Sequence, residues 1–204
     1  VIKYQNVITA PEPLHSALKE LVASTRHMNL TWLVGGSTGL MLQGAALSAA
    51  PRDLDLYIDR EQAPVMHKAL AHFSTDEQIE SETAIYSSIL SHYEVAGVKV
   101  ELVGAFEVRA MDSVYRVEAG YLAAEHAVRG SLHDGTVIHL MPLMHEMIFN
   151  MLRNRPDRYH AIADICRKSG LDIHRTVLEK LAERNQFSAE LIARLKQLLE
   201  YMGE

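Results

Sequence analysis

Thr31-Trp32-Leu33-Val34-Gly35-Gly36-Ser37 and, a short helix later, Asp53-Leu54-Asp55-Leu56-Tyr57-Ile58-Asp59 are the stretches on which the fold of this chain turns. The first predicts a short buried strand, Thr31 to Val34, ended at Gly35-Gly36 by a turn that tolerates unusual backbone angles. Ser37 is placed to cap the following helix, Thr38 to Leu47, in which Gly39 and Gly44 let other backbone approach closely. The second stretch alternates acidic or polar side chains with apolar ones, the period of a strand with one face in a core and the other in a cleft. Asp53 and Asp55 are therefore expected to point the same way.

Working outward, Leu14, Leu18, Leu21, Val22 and Met28 recur at near-helical spacing and predict a helix over about 12–28. Val65, Leu70 and Phe73 mark a second, over about 61–73. Strands are predicted over 85–95 and 98–103, joined as a hairpin through Ala96-Gly97. In the latter strand Val98, Val100 and Leu102 share one face while Lys99 and Glu101 share the other. Residues 106–129 give no clear pattern, and 136–140 reads as a last strand. Beyond Pro142 the chain is helical: 143–154, 156–169 with Pro156 at the first helical position, 172–183 and 188–202, with Gly170 separating the middle two. The expected class is α/β (α+β), a mixed sheet flanked by helices. A catalytic domain over 1–141 is followed without a flexible linker by a helical annex over 142–204.

Composition bounds the function classes. The 204 residues are 48% hydrophobic and 23% charged, an ordinary globular balance. A net charge of −6 gives no chain-wide positive field of the kind that drives unspecific nucleic-acid or anionic-membrane binding. The single cysteine, Cys166, excludes an intramolecular disulfide and any Cys-based zinc finger. Residues 1–6 lack the charged and apolar regions of a signal peptide. Residues 28–51 carry no charge, but four glycines, a terminal proline and several polar side chains argue against a membrane span. A cytoplasmic protein with no membrane partner is the expectation.

The chemistry lies in Gly35-Gly36-Ser37, Asp53-x-Asp55 and Glu101 together. Two carboxylates two residues apart on a strand can jointly hold Mg²⁺, a hard cation that prefers oxygen ligands, and a third on a neighbouring strand could complete the site. A glycine turn opening a helix offers backbone N–H groups to a phosphate. An apolar strand, Gly-Gly-Ser, a helix, Arg52-Asp-Leu-Asp-Leu56 and then Val98-Lys-Val-Glu-Leu102 resemble the pattern of the DNA polymerase β nucleotidyltransferase superfamily, and its small stand-alone prokaryotic members in particular. The likeness covers about residues 29–104, and Glu146 to Asp164 resembles the family's helical tail. Two departures stand out. Arg52 abuts Asp53 directly, and the third acid is Glu rather than the commoner Asp.

The resemblance implies an enzyme that moves a nucleoside monophosphate from a nucleoside triphosphate such as ATP to a hydroxyl acceptor. Asp53, Asp55 and Glu101 would be its catalytic residues and would hold two Mg²⁺ ions. Glu101 would also help to deprotonate the acceptor. Gly35, Gly36 and Ser37, with Lys99 beside them, would bind the nucleotide, although pairing with a nearby carboxylate competes for Lys99. A small-molecule acceptor is the first reading. The alternatives are a toxin-like enzyme modifying tRNA or protein, and an inactive nucleotide-binding module. The annex arginines Arg153, Arg155 and Arg158 read first as a solvated helix end and second as contacts to triphosphate or acceptor. His92 reads as structural, with reach into the cleft as its alternative. Asp164 reads as an ion-pair partner for such arginines, and Cys166 and the stripe Met141, Met144, Met147 and Met151 as core.

Overall fold

The computed structural model describes residues 6–200, so residues 1–5, in which no signal peptide is read, and positions 201 and 202 of the last expected helix lie outside the described residues. Nine strands occur among the described residues: β1 (Asn6–Ile8), β2 (Trp32–Gly35), β3 (Leu54–Ile58), β4 (Ile79–Glu82), β5 (Tyr86–Val95), β6 (Val98–Ala110), β7 (Ser113–Arg116), β8 (Val128–Leu132) and β9 (Val137–Leu140). They form one mixed sheet in the order β1-β8-β9-β2-β3-β6-β5-β4, with β7 paired to β6. The helices are α1 (Leu14–Thr25), α2 (Gly36–Leu42), α3 (Ala63–Ala69), α4 (Ala119–Glu125), α5 (Leu143–Leu152), α6 (Pro156–Ser169), α7 (Leu171–Arg184) and α8 (Ala189–Glu200). The mixed α/β class is as expected, and all strands end at Leu140 before the run of helices begins.

Strand alternation sorts the side chains into two cores. Leu54, Leu56, Ile58, Val100 and Leu102 face α1 and α3, packing on Leu18, Leu21, Met66 and Leu70. Leu33, Tyr57, Val103, Phe106 and Val108 face the other way, onto α5 and the helices behind it. Between Val103 and Phe106 the alternation slips by one residue. Ala105 has φ 50°, and the register with β5 shifts between Ser87 and Ile89, so a bulge turns Phe106 back to the α5 face. Every residue of α5 is buried, the mark of a helix enclosed on all sides, here by the sheet and by α6, α7 and α8. The methionine stripe and Cys166 lie inside this core.

Several expectations shift. The helix after β2 starts at Gly36 and ends at Leu42, five residues short of Leu47, so Ser37 sits inside its first turn and caps nothing. The helix over 61–73 shrinks to α3 and a separate 3₁₀ turn at Ala71–Phe73, leaving Val65 exposed. The unread region 106–129 holds the far half of β6, β7, α4 and the start of β8. Ala96 and Gly97 both have positive φ, as the hairpin requires.

Candidate active site

Three adjacent strands build the site. β2 and β3 run antiparallel with Gly35 opposite Asp55, and β3 and β6 run parallel with Asp55 beside Glu101. Strand periodicity turns Asp55 and Glu101 to the α5 face, side by side on neighbouring strands. Asp53 lies one residue before β3, exposed, and its carbonyl accepts a 2.6 Å hydrogen bond from the Thr38 hydroxyl, which ties the loop to α2. The chain turns from β2 into α2 at Gly36, with φ +62°. A Cβ there would stand 1.7 Å from Asp55 Oδ2, so glycine is required both by the angle and by the carboxylate.

The electrostatics are those of crowded negative charge. Burial, reinforced by the charges of Glu101, Asp53 and Glu146, pushes the Asp55 carboxyl up to about 8. Glu101 is raised by burial and by Asp53, against the opposing pull of His92. Glu146, on α5, is 1% exposed, and burial lifts it to about 7 although the Gly36 amide, Arg153 and Arg158 favour its ionised form. Its Oε1 accepts a 2.7 Å hydrogen bond from the Gly36 N–H, while Oε2 is buried without a partner. Among the described residues no three acidic, histidine or cysteine side chains converge tightly enough to enclose an ion unaided. The donor set nevertheless suits Mg²⁺. Its oxygens are hard, their mutual repulsion is what a cation relieves, and Mg²⁺ normally takes one or two carboxylates with phosphate and water completing its shell.

The residues read from the sequence come together unevenly. Gly35, Gly36, Asp55 and Glu101 are in mutual contact or register, with Asp53 at the edge. The Gly36 amide, expected to be free for a phosphate, is taken by Glu146, whereas Ser37 is part-exposed. Lys99 is exposed opposite Glu94 on β5, with no ion pair to a described carboxylate. His92 lies across from Glu101, its Nε2 3.9 Å from Glu101 Oε1 and its Nδ1 2.5 Å from Asp76 Oδ2. Arg153 donates twice to Asn150 Oδ1 and lies over the Phe149 ring, and Arg155 pairs with Asp157. Arg158 is partly buried, its Nε 3.6 Å from Asp157 Oδ2, with Nε and Nη1 unpartnered by hydrogen bonds. Asp164 pairs with Arg167, not with these three. Sequence reasoning missed Glu146 and Asp76. The signal for Glu146 was present, as the one carboxylate in the mostly apolar turns of Leu143-Met144-His145-Glu146-Met147-Ile148.

A sequence model of aminoglycoside-2''-adenylyltransferase matches residues 17–120, about half of the chain, and that span holds the glycine turn and all three candidate carboxylates. The chain belongs to this family. As a member of the aminoglycoside-2''-adenylyltransferase family it is a nucleotidyltransferase enzyme, which agrees with the superfamily that its motifs resemble. Its fold is shared by TM1012, a candidate nucleotidyltransferase from Thermotoga maritima, at 21% identity and a TM-score of 0.58 over 85% of this chain and 97% of that one. Two structures of ANT(2'')-Ia are more distant. One, in complex with adenylyl-2''-tobramycin, is 13% identical over 82% of this chain and 95% of that one, with a TM-score of 0.45. The other, a solution structure, is 12% identical over 83% and 92%, with a TM-score of 0.46. No curated protein matches the chain.

Proposed function

We propose that this family member transfers a nucleoside monophosphate, with ATP as the first donor to test, to a hydroxyl of an aminoglycoside-type acceptor, a small polycationic amino sugar. The observation that carries the reading is the row Gly35, Asp55 and Glu101 across three adjacent strands, with Asp53 at its rim. In the reaction the acceptor hydroxyl oxygen forms a bond to the α-phosphorus, the bond to the bridging oxygen of pyrophosphate breaks, and the hydroxyl proton passes to a base. Glu101 is the residue proposed as that base. It is part-exposed, so the acceptor can reach it, and burial raises its proton affinity above that of a solvated carboxylate, which makes it a stronger base. Asp53, Asp55 and Glu101 are the residues that would hold Mg²⁺, which when bound supplies charge neutralisation of the phosphates and of the leaving group. Ser37, at the first turn of α2, is the donor best placed to meet a phosphate, and exposed Lys99 adds positive charge on the Glu101 side. The net charge of −6 favours approach of a cationic acceptor.

The test is pyrophosphate release and acceptor adduct formation, read by mass spectrometry, with each nucleoside triphosphate, Mg²⁺ and a panel of aminoglycosides. The Asp53→Asn, Asp55→Asn double variant is the control. Adducts formed by the wild type and absent from the double variant are expected. A folded wild type that consumes no nucleotide with any acceptor would overturn the reading, and label appearing on tRNA or protein would replace the acceptor class.

A further inference from the structure

We propose that Glu146 is a positioning residue of the nucleotide site, locking the Gly35-Gly36 turn from beneath through the Gly36 N–H so that the donors of Ser37 face the cleft. The inference rests on the nucleotidyltransferase reading above and extends it to a residue of α5, which lies outside the strand–turn–strand motif.

The contact is long-range and specific. Glu146 and Gly36 are 110 residues apart in sequence, and the carboxylate meets the amide at 2.7 Å in a fully buried setting. The fit around it is tight on every side. A Cβ at Gly35 would lie 2.9 Å from Glu146 Oε1 and 2.6 Å from the Tyr57 ring, and one at Gly36 would enter the Asp55 carboxylate. Two successive glycines thus allow the turn to pass between Asp55 on one side and Glu146 on the other. Glu146 is itself held, since Asn150 Nδ2 donates to its backbone carbonyl at 2.7 Å and Asn150 Oδ1 in turn receives Arg153. The first N–H groups of a helix have no partner within it, and in α2 that of Gly36 is consumed inward by Glu146. Without this acceptor a buried N–H would be orphaned, and the positive-φ turn would be free to relax toward an angle with its amide facing the cleft.

Two variants separate reach from charge. Glu146→Gln keeps an acceptor oxygen at the same distance and removes the charge, whereas Glu146→Asp keeps the charge and falls one methylene short. The Gly36 amide in a ¹⁵N-labelled protein is the direct readout, through its proton shift and exchange rate without nucleotide. The expectation is that Glu146→Gln retains a bonded Gly36 amide and wild-type nucleotide affinity. Glu146→Asp should lose the bond and raise KM and Kd for the triphosphate about tenfold or more, the value of one strong hydrogen bond, with kcat little changed. The proposal is overturned if Glu146→Asp behaves as wild type, if Glu146→Gln is the impaired variant while Glu146→Asp is not, or if the Gly36 amide loses its bond with no change in nucleotide affinity. Should the wild type bind and consume no nucleotide, the proposed function fails, while the Gly36 amide still reports whether the lock exists.

Discussion

Replacing Asp55 with Asn should make the protein more stable at alkaline pH while abolishing transfer. The Asp55 carboxyl is held at about 8 because burial and three neighbouring carboxylates oppose its ionisation. In the unfolded chain it titrates near its usual value of 3.8. Between about 4 and 8 the folded state therefore binds more protons than the unfolded one, and this group's contribution to stability falls as the pH rises through that window. At 1.36 kcal/mol per pH unit the ceiling is roughly 5 to 6 kcal/mol. The charges of Glu101 and Glu146 that raise Asp55 themselves change with pH and the site relaxes, so roughly 2 to 3 kcal/mol should survive in the measurement, or about 4 to 12 °C for a chain of this length. Asparagine is isosteric, carries no charge and can donate to Glu101. The assay is calorimetric melting from pH 5 to 8.5 in EDTA, for wild type and Asp55→Asn. The wild-type midpoint should fall toward pH 8 and the variant's should fall less, so that the variant melts higher at pH 8 and the two converge near pH 5. Mg²⁺ with nucleotide should then raise the wild type at pH 8 and leave the variant unmoved. A variant that melts at or below the wild type at pH 8, or a wild-type midpoint independent of pH, would refute the reasoning.

Other substitutions probe separate parts of the structure. Gly36→Ala places a Cβ against Asp55 at a positive φ, and urea denaturation should show a loss of about 2 kcal/mol or more together with loss of nucleotide binding. Glu101→Gln should lower kcat by about 100-fold or more with the melting temperature within a few degrees of wild type, the range expected for loss of a general base. The Cys166 thiol is buried and pushed up to about 12, so it should resist a disulfide exchange reagent in the native protein and react fully once the chain is unfolded in urea.

Much of the fold was legible because its signals are local. The alternation through Leu54 to Ile58 and Val98 to Leu102, the Ala96-Gly97 turn, and the placement of Pro156 and Gly170 around α6 each depend on a few consecutive residues. The elements that escaped notice lack such signals. β1 and β4 are edge strands of three and four residues, too short to show a period. β6 runs on through Ala105 to Ala110, where the bulge breaks the alternation that would have revealed it. Ser37 looked like a cap because Ser is a good one, yet the helix starts at Gly36, two residues before the expected Thr38. The φ of Gly36 is set by Asp55 and Glu146, partners that no local pattern contains.

The sequence by itself determined the order of strand, glycine turn, helix and paired aspartates and the strand that carries Glu101, since each follows from side-chain periodicity and backbone permissiveness within a few residues, and the resemblance of that ordered set to a known superfamily implied the class of chemistry. Only the tertiary structure decided which carboxylates are crowded and which amides are spent. Gly35, Asp55 and Glu101 become neighbours through strand order. Glu146 meets Gly36 because α5 is enclosed beneath the sheet, and His92 reaches Glu101 through the hairpin register with Asp76 behind it. Those relations join residues up to 110 positions apart, and their energies come from burial and from like charges held close together, quantities that exist only once the chain has folded.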